Sequence, residues 1–265
     1  MTLACVLHVH TTYSDGEYTL AELRDLFVRA GKRVVCLADH ADDFDTAKVQ
    51  QYISECAKYS DDTLRFIPGL EFGCDDRMHI VGYGVTALTA QTDPESVIAH
   101  IHAHQGISVI AHPRDDHFPR IEALAELPLG IEAWNTKYDG RYAPRPQTFA
   151  LIARLRARSP DLLAFFGLDL HWRTQFKGLE LTLAAASNSR ADVLAALRSG
   201  ALRARKGTIE LAARVTPSRA QLQRFQVLNS ASRMLWRSLK ALKAASGGLG
   251  NRLPAPIKAQ LRRIF

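Results

Sequence analysis

Short apolar runs alternate with amphipathic stretches along most of this chain, and that alternation restricts the folds open to it. The runs ACVLHVH, RVVCLADH, LRFIPGLEF, HIVGYG, ISVIAHP, GIEAWN, LLAFFGLDLH and LELTLAA are rich in Val, Ile, Leu and Phe, and short enough to read as buried strands. Between several of them the spacing predicts helices over 19–30, 46–59, 94–104, 121–127, 146–158 and 190–198. Strand followed by helix, repeated, is the pattern of a parallel α/β sheet or barrel. A chain of 265 residues, 47% hydrophobic, has the material to bury one large core of this kind.

Charge divides the chain. Residues 214–265 hold eleven Lys or Arg and no Asp or Glu, so removing them from the net +7 leaves about −4 on the preceding 213 residues. The segment VTPS, with Pro217 and the N-cap candidate Ser218, marks the break, which gives an α/β body over 1–213 and a basic tail over 214–265. In the tail, Leu222, Phe225 and Leu228, then Leu235, Trp236, Leu239 and Leu242, run as an apolar stripe among Arg233, Arg237, Lys240 and Lys243. That is a cationic amphipathic helix, suited to packing on the body, to an anionic membrane surface or to nucleic acid. SGGLG at 246–250 then makes a flexible break.

Cys5, Cys36, Cys56 and Cys74 form no CxxC pair, which argues against a disulfide framework and a thiolate zinc site and suits a reducing compartment. The first residues lack a signal-peptide pattern and no run approaches a membrane span, so the expected location is cytoplasmic or peripheral at the membrane.

Polar residues stand where the apolar runs end. His8 and His10 close the first run, His40 the second, Glu71 the third, His112 the fifth, and Asp169 with His171 the seventh. In a (β/α) barrel the carboxyl ends of the strands share one face, so these residues would converge there. His79 opens its run and is expected to reach the cluster from a loop. Strand alternation would place His8 with His10, and Asp169 with His171, on a common face, each pair able to chelate.

These pieces resemble the PHP (polymerase and histidinol phosphatase) domain family: HVHTTYSDG with His8, His10 and Asp15, LADH with His40, PGLEF with Glu71, MHIVGYG with His79, AHPR with His112, and GLDLH with Asp169 and His171. The resemblance runs to about residue 205, in family order. It implies a distorted (β/α)7 barrel with three divalent metal ions in a cleft. His8, His10, Glu71 and Asp169 would hold the first ion, Glu71, His79 and His112 the second, and Asp15, His40 and His171 the third. Asp15 stands where some members have histidine.

Six imidazoles and three carboxylates without a thiolate suit Mn²⁺, Zn²⁺ or Fe²⁺ better than Ca²⁺ or Mg²⁺. Paired ions bridged by Glu71 would generate a hydroxide nucleophile and neutralise phosphoryl oxygens, with Glu71, His8, His10 and Asp169 at the catalytic centre. The expected activity is hydrolysis of a phosphate ester of a small molecule or nucleotide. The alternatives are a nuclease trimming nucleic-acid ends and a catalytically silent metal-binding module that serves a partner protein or membrane.

Arg114, Lys137, Arg141 and Arg145 follow strands on the same face and are candidates for phosphate contact. Asp39, beside His40, is expected to point away from the metals and support the structure. His100, His102 and His104 fall on an outer helix and are expected at the surface, and His117 reads as a loop histidine near the mouth.

Overall fold

Residues Cys5 to Val9 are all buried, so the first strand, β1 (Thr2–Val9), runs through the middle of the molecule with both faces covered. The computed structural model describes residues 1–139, 142–175 and 178–245, without the side chains of Trp236, Leu239 and 241–245. Arg141, the segment 246–250 and the apolar side chains Trp236, Leu239 and Leu242 of the expected tail stripe, with Lys243, therefore lie outside the described residues.

After β1 the chain forms α1 (Leu20–Arg29), β2 (Val34–Leu37), β3 (Asp39–His40), α2 (Thr46–Lys58), β4 (Arg65–Ile67), β5 (Gly69–Gly73), β6 (His79–Tyr83), α3 (Pro94–Ala103) and β7 (Ile107–Ala111). It continues through α4 (Phe118–Ala123), β8 (Gly130–Asn135), α5 (Pro146–Leu155), β9 (Leu163–Gly167), β10 (Glu180–Ala184), α6 (Arg190–Arg198), β11 (Leu202–Lys206), β12 (Ile209–Ala212) and α7 (Arg219–Ala245). Side-chain caps start the helices where the sequence supplies them. Thr19 and Glu22 form a reciprocal capping box on α1, and Asp45, Asp93 and Ser189 cap α2, α3 and α6.

The strands form two six-stranded sheets, ordered β12-β11-β10-β1-β2-β4 and β3-β5-β6-β7-β8-β9. The fold is mixed α/β, and the pairing is not parallel throughout. β6 runs antiparallel to both β5 and β7; the residues 74–78 that join β5 to β6 are too few for a parallel crossover. β10, β11 and β12 form an antiparallel extension beside β1. β11 and β12 were absent from the expected strands, although the buried–exposed alternation of Leu202, Arg203, Ala204 and Arg205 carries the period of two.

The sheets meet on both sides of β1 and β2. Val9 bridges Leu170 in parallel fashion, with His10 N donating to Leu170 O at 3.0 Å and Leu168 N to Leu7 O at 3.0 Å. The chain also passes from one sheet to the other at Ala38, between β2 and β3, and at Pro68, between β4 and β5. Proline lacks the N–H a continuous ladder would need, so the expected single strand over 64–72 divides there. Trp134, Tyr52, Tyr83, Phe27, Phe149, Phe165 and Phe166 are fully buried between the sheets and helices.

Ser218 caps α7 as expected, its Oγ accepting from Gln221 N while its own N–H donates to Gln221 Oε1 at 2.8 Å. The first half of α7 packs on the body. Phe225 is 2% exposed against Phe149 of α5, and the buried Asn229 donates to Pro144 O at 2.9 Å. From there the character changes, with Met234 70% and Leu235 50% exposed. No helix among the described residues is long and apolar enough to cross a membrane.

Candidate metal centre

All nine side chains expected as ligands come together at one end of the strands, though not by the local geometry expected. His8 does not sit on a regular strand. Its φ is 62°, left-handed, at an irregularity where the register of β1 on β2 shifts between Leu7 and Val9. Asp169 (φ 53°) and His112 (φ 28°) are also left-handed, and Asp169 and His171 lie beyond the end of β9 rather than on it. Simple alternation therefore does not place these pairs. Such backbone costs on the order of 1–3 kcal/mol per residue and persists where the surrounding structure enforces it. Its concentration on three of the nine candidates ties the strain to the site.

His40 ends β3 and Glu71 lies within β5, paired side by side in parallel register. His79 does not come from a loop. It is the first residue of β6, opposite Gly73 and Ala111, and the antiparallel direction of β6 brings its amino end to the face where its neighbours have their carboxyl ends.

Glu71 is the hub. Its Oε2 lies 3.5 Å from His8 Nε2, 3.4 Å from His10 Nε2 and 3.4 Å from His40 Nδ1, and its Oε1 lies 3.2 Å from His79 Nδ1 and 3.1 Å from His112 Nε2. Asp169 Oδ1 lies 3.6 Å from His8 Nε2, 3.5 Å from His10 Nε2 and 3.1 Å from His171 Nδ1. Asp15, half exposed, closes the outer side at 3.5 Å from His10, 3.7 Å from His40 and 3.2 Å from His171.

Most of these contacts are close without being hydrogen bonds. His8 Nε2, both ring nitrogens of His10 and His79 Nδ1 are buried with no hydrogen-bond partner among the described residues, although carboxylate oxygens stand 3.2–3.6 Å away. Buried imidazole nitrogens without partners are costly, and their lone pairs converge as those of ligands do. Ligand atoms lie within 4.8 Å of one another in four groupings: His10, Asp15, His40 and His171; His8, His10 and Asp169; His8, Glu71 and His112; and His40, Glu71 and His79. The donor set thus fits divalent ions. Asp15, His40 and His171 fall together as expected with His10 added, whereas His79 and His112 reach Glu71 in separate groupings.

Electrostatics follow from this crowding. Burial would raise the Glu71 and Asp169 carboxyls, but the imidazoles around them, His8 foremost, hold both well below the ordinary carboxylate range. Burial lowers His10 to about 4, against the opposing pull of Asp169 and Glu71, which keeps its ring neutral. A neutral imidazole is the form that ligates metal.

A further carboxylate organises the site, and the sequence reading missed it. Glu132 of β8 is 2% exposed, with Oε1 accepting from His8 Nδ1 at 3.1 Å and Oε2 accepting from His112 N at 2.9 Å and Asn135 Nδ2 at 2.8 Å. Asn135 Nδ2 also donates to Asp169 Oδ2 at 3.1 Å. A single Glu inside the apolar run GIEAWN was the available signal, since a charge at such a position must be paired. Asp39 has the supporting role expected of it: buried, it accepts from Thr11 N at 2.7 Å and Ser14 Oγ at 2.8 Å and so pins the loop that carries Asp15.

Glycines make room for these contacts. A Cβ on Gly167 would lie 2.0 Å from Glu132 Oε1 and 2.8 Å from His8 Cβ, and one on Gly16 would lie 2.5 Å from the His10 carbonyl.

Of the basic candidates, Lys137 reaches the cluster, its Nζ 3.4 Å from Asp169 Oδ1 and 3.3 Å from the His171 ring. Arg114 is instead paired with Asp116, and Arg145 is tied to Asp115 and donates to Pro113 O at 2.9 Å, bracing the loop after β7. His100 is half-buried beside Phe72 and bonded to Ala87 O, while His102 and His104 are exposed; none joins a ligand grouping among the described residues. His117 is buried against the backbone of Arg114 and also stands outside the groupings.

The family model of the PHP domain matches residues 7–199. Among solved structures, the chain is similar to a two-domain protein containing a predicted PHP-like metal-dependent phosphoesterase from Bacteroides vulgatus ATCC 8482, with a TM-score of 0.59 and 16% identity over 84% of this chain and 68% of that one. It is similar to PsfC from Pseudomonas syringae PB-5123, with a TM-score of 0.53 and 16% identity over 89% of this chain and 99% of that one. It is also similar to the lesion-specific endonuclease PfuEndoQ from Pyrococcus furiosus, with a TM-score of 0.51 and 12% identity over 76% and 56% of the two chains. At such identities the likeness is one of fold. No curated protein matches the sequence.

Proposed function

Because this chain belongs to the PHP domain family, we propose that it is a metal-dependent phosphoesterase that hydrolyses a phosphate ester of a small molecule or nucleotide. The observation that carries this reading is Glu71, whose two oxygens stand 3.1–3.5 Å from five imidazoles, several with unpartnered ring nitrogens. The site we propose holds three divalent ions, Mn, Zn or Fe: the first on His8, His10, Glu71 and Asp169, the second on Glu71, His79 and His112, the third on Asp15, His40 and His171. Divalent ions in such a setting supply Lewis acidity toward phosphoryl oxygens and acidify water at neutral pH.

The chain's own residues set the conditions for that chemistry. Glu71 and Asp169 stay ionised because imidazoles surround them, so carboxylate charge is available for cations across neutral pH. Glu132 fixes the His8 ring with Nδ1–H toward itself, leaving Nε2 to face Glu71 and Asp169. Lys137 brings an ammonium to the rim, 3.3 Å from His171, where a phosphoryl oxygen of the substrate would meet it. We take the two sheets, meeting at Val9–Leu170 and again through Ala38 and Pro68, as the distorted barrel of the family, with this site at its open end.

A metal analysis followed by a screen of phosphate monoesters, nucleoside bisphosphates and short oligonucleotides with Mn²⁺ tests the reading. Turnover of monoesters or bisphosphates supports it. Stepwise shortening of oligonucleotides with no monoester turnover would favour an end-trimming nuclease. Metal bound without turnover of any of them would leave a silent module, whose partner contacts would then fall to the exposed, cationic second half of α7.

A further inference from the structure

The exposed Phe, Tyr and Trp side chains among the described residues are Tyr138, Tyr142 and Trp172; all three follow β8 or β9, and Tyr138 and Trp172 stand beside ligand imidazoles of the site. The other described Phe, Tyr and Trp side chains are buried or half-buried. Large rings held in water are costly unless something covers them, and Tyr138 and Trp172 bear that cost beside the site.

Two of these rings face the same group from different loops. The Tyr138 centroid lies 5.0 Å and the Trp172 centroid 5.2 Å from Lys137 Nζ. Tyr138 also lies 4.7 Å from the His112 ring, and Trp172 lies 5.5 Å from the His171 ring. Tyr138 is 60% exposed and Trp172 46%, so each ring touches the site and still reaches solvent.

Their backbones are anchored to the network of the site. Asn135 Oδ1 accepts from Lys137 N at 3.0 Å and Tyr138 N at 3.1 Å, while Asn135 Nδ2 binds Glu132 and Asp169. Gln175 Oε1 accepts from His171 N at 2.8 Å and Trp172 N at 3.3 Å. The rings are therefore fixed at their roots, share the Lys137 ammonium and remain partly exposed, which suits a stacking platform.

We propose that Tyr138 and Trp172 form an aromatic clamp for a planar ring on the alcohol side of the phosphoester, with Lys137 marking its phosphate end. The substrate class is then a phosphate ester whose leaving group carries a planar π system, such as an arylmethyl ester or a nucleotide. An aliphatic alcohol of the same size gains no stacking there. The phosphate end of this assignment rests on the phosphoesterase reading above, while the clamp is read from the loops after β8 and β9.

The test uses the metal-loaded full chain and two pairs with leaving alcohols of similar acidity, adenosine 5′-monophosphate with ribose 5-phosphate, and benzyl phosphate with cyclohexylmethyl phosphate. The aromatic member of each pair should have the higher kcat/KM. Trp172→Ala or Tyr138→Ala should reduce kcat/KM for the aromatic member roughly ten-fold more than for its aliphatic partner, and Trp172→Phe should restore most of the preference. A preference for the nucleotide pair alone would assign a nucleobase, and one for both pairs any planar ring.

Binding supplies a readout that needs no turnover. Adenosine 5′-monophosphate should quench the intrinsic fluorescence of the protein, and Trp172→Phe should remove that quenching although Trp134 and Trp236 remain. If none of the four esters is hydrolysed yet the Trp172-dependent quenching is present, the phosphoesterase reading fails and the clamp stands. If esters are hydrolysed with equal efficiency within each pair and quenching is unchanged by Trp172→Phe, the clamp is overturned.

Discussion

Glu132 Oε1 lies 3.1 Å from His8 Nδ1, behind the imidazole as seen from Glu71, so that His8 is held between a carboxylate that orients it and a carboxylate that shares its proposed ion. The other Glu132 oxygen takes the amide of His112, whose φ of 28° this bond helps to hold. Replacing Glu132 by Gln keeps the shape but offers an amide N–H where an acceptor is needed. Metal affinity should fall roughly 10- to 100-fold with the fold retained, as measured by metal titration and circular dichroism on the same preparations.

Glu71→Gln removes the charge that faces five imidazoles. Its metal content should drop and phosphoester turnover should fall by orders of magnitude while thermal unfolding stays cooperative. His100→Ala is the control, since His100 bonds to Ala87 O outside the cluster, and its turnover should match that of the unsubstituted protein. Equal losses in the two variants would break the separation of the site from α3.

How much of this was legible before the structure is clearest at Glu71 and Glu132. Glu71 closes an apolar run in a series of His and Asp that close other runs, so its role could be read from order along the chain. Glu132 has the same chemistry but no repeated partner in sequence, since it is joined to His8 across 124 positions. Pairing direction was equally hidden, because periodicity reports which face of a strand is buried and not which way its neighbour runs. Hence periodicity implies the wrong approach for His79 and gives no sign of the left-handed backbone at His8, His112 and Asp169.

Gly167→Ala tests the packing behind His8. The added Cβ would fall 2.0 Å from Glu132 Oε1, so the carboxylate must leave His8 or β9 must move. Overpacking of this kind costs about 1–3 kcal/mol, and a lowered melting temperature should be joined by a loss of metal affinity. A stability loss with unchanged affinity would show that β9 moves and Glu132 keeps its place beside His8.

Phe225→Ala reads the contribution of α7 to the body. With Phe225 2% exposed against Phe149, the substitution should destabilise by about 3–5 kcal/mol if α7 unfolds with the rest, measured by chemical denaturation. Met234→Ala, at a 70% exposed position, should change stability by less than about 0.5 kcal/mol.

Asp139 gives a pH dependence with a defined sign. It is buried and accepts from Asn135 N at 2.8 Å, and burial, partly opposed by that bond and by Arg145, raises its carboxyl to about 7. A raised acid keeps its proton in the folded protein at a pH where the unfolded chain has lost it. Its contribution to stability therefore declines as pH rises from the ordinary carboxylate range to about 7, with a slope of at most about 1.4 kcal/mol per pH unit, and levels off above. In chelator-treated protein, Asp139→Asn should flatten the stability profile across that window.

The most direct measurement of the central claim is activity against metal content on one preparation. The protein is stripped with chelator, confirmed free of divalent transition metals by elemental analysis, and assayed on the best ester of the screen while Mn²⁺ is added back. The account predicts no turnover in the stripped protein, recovery that saturates with ions bound at close to three per chain, and no recovery in Glu71→Gln at the same concentrations. Full turnover in verified metal-free protein would contradict it.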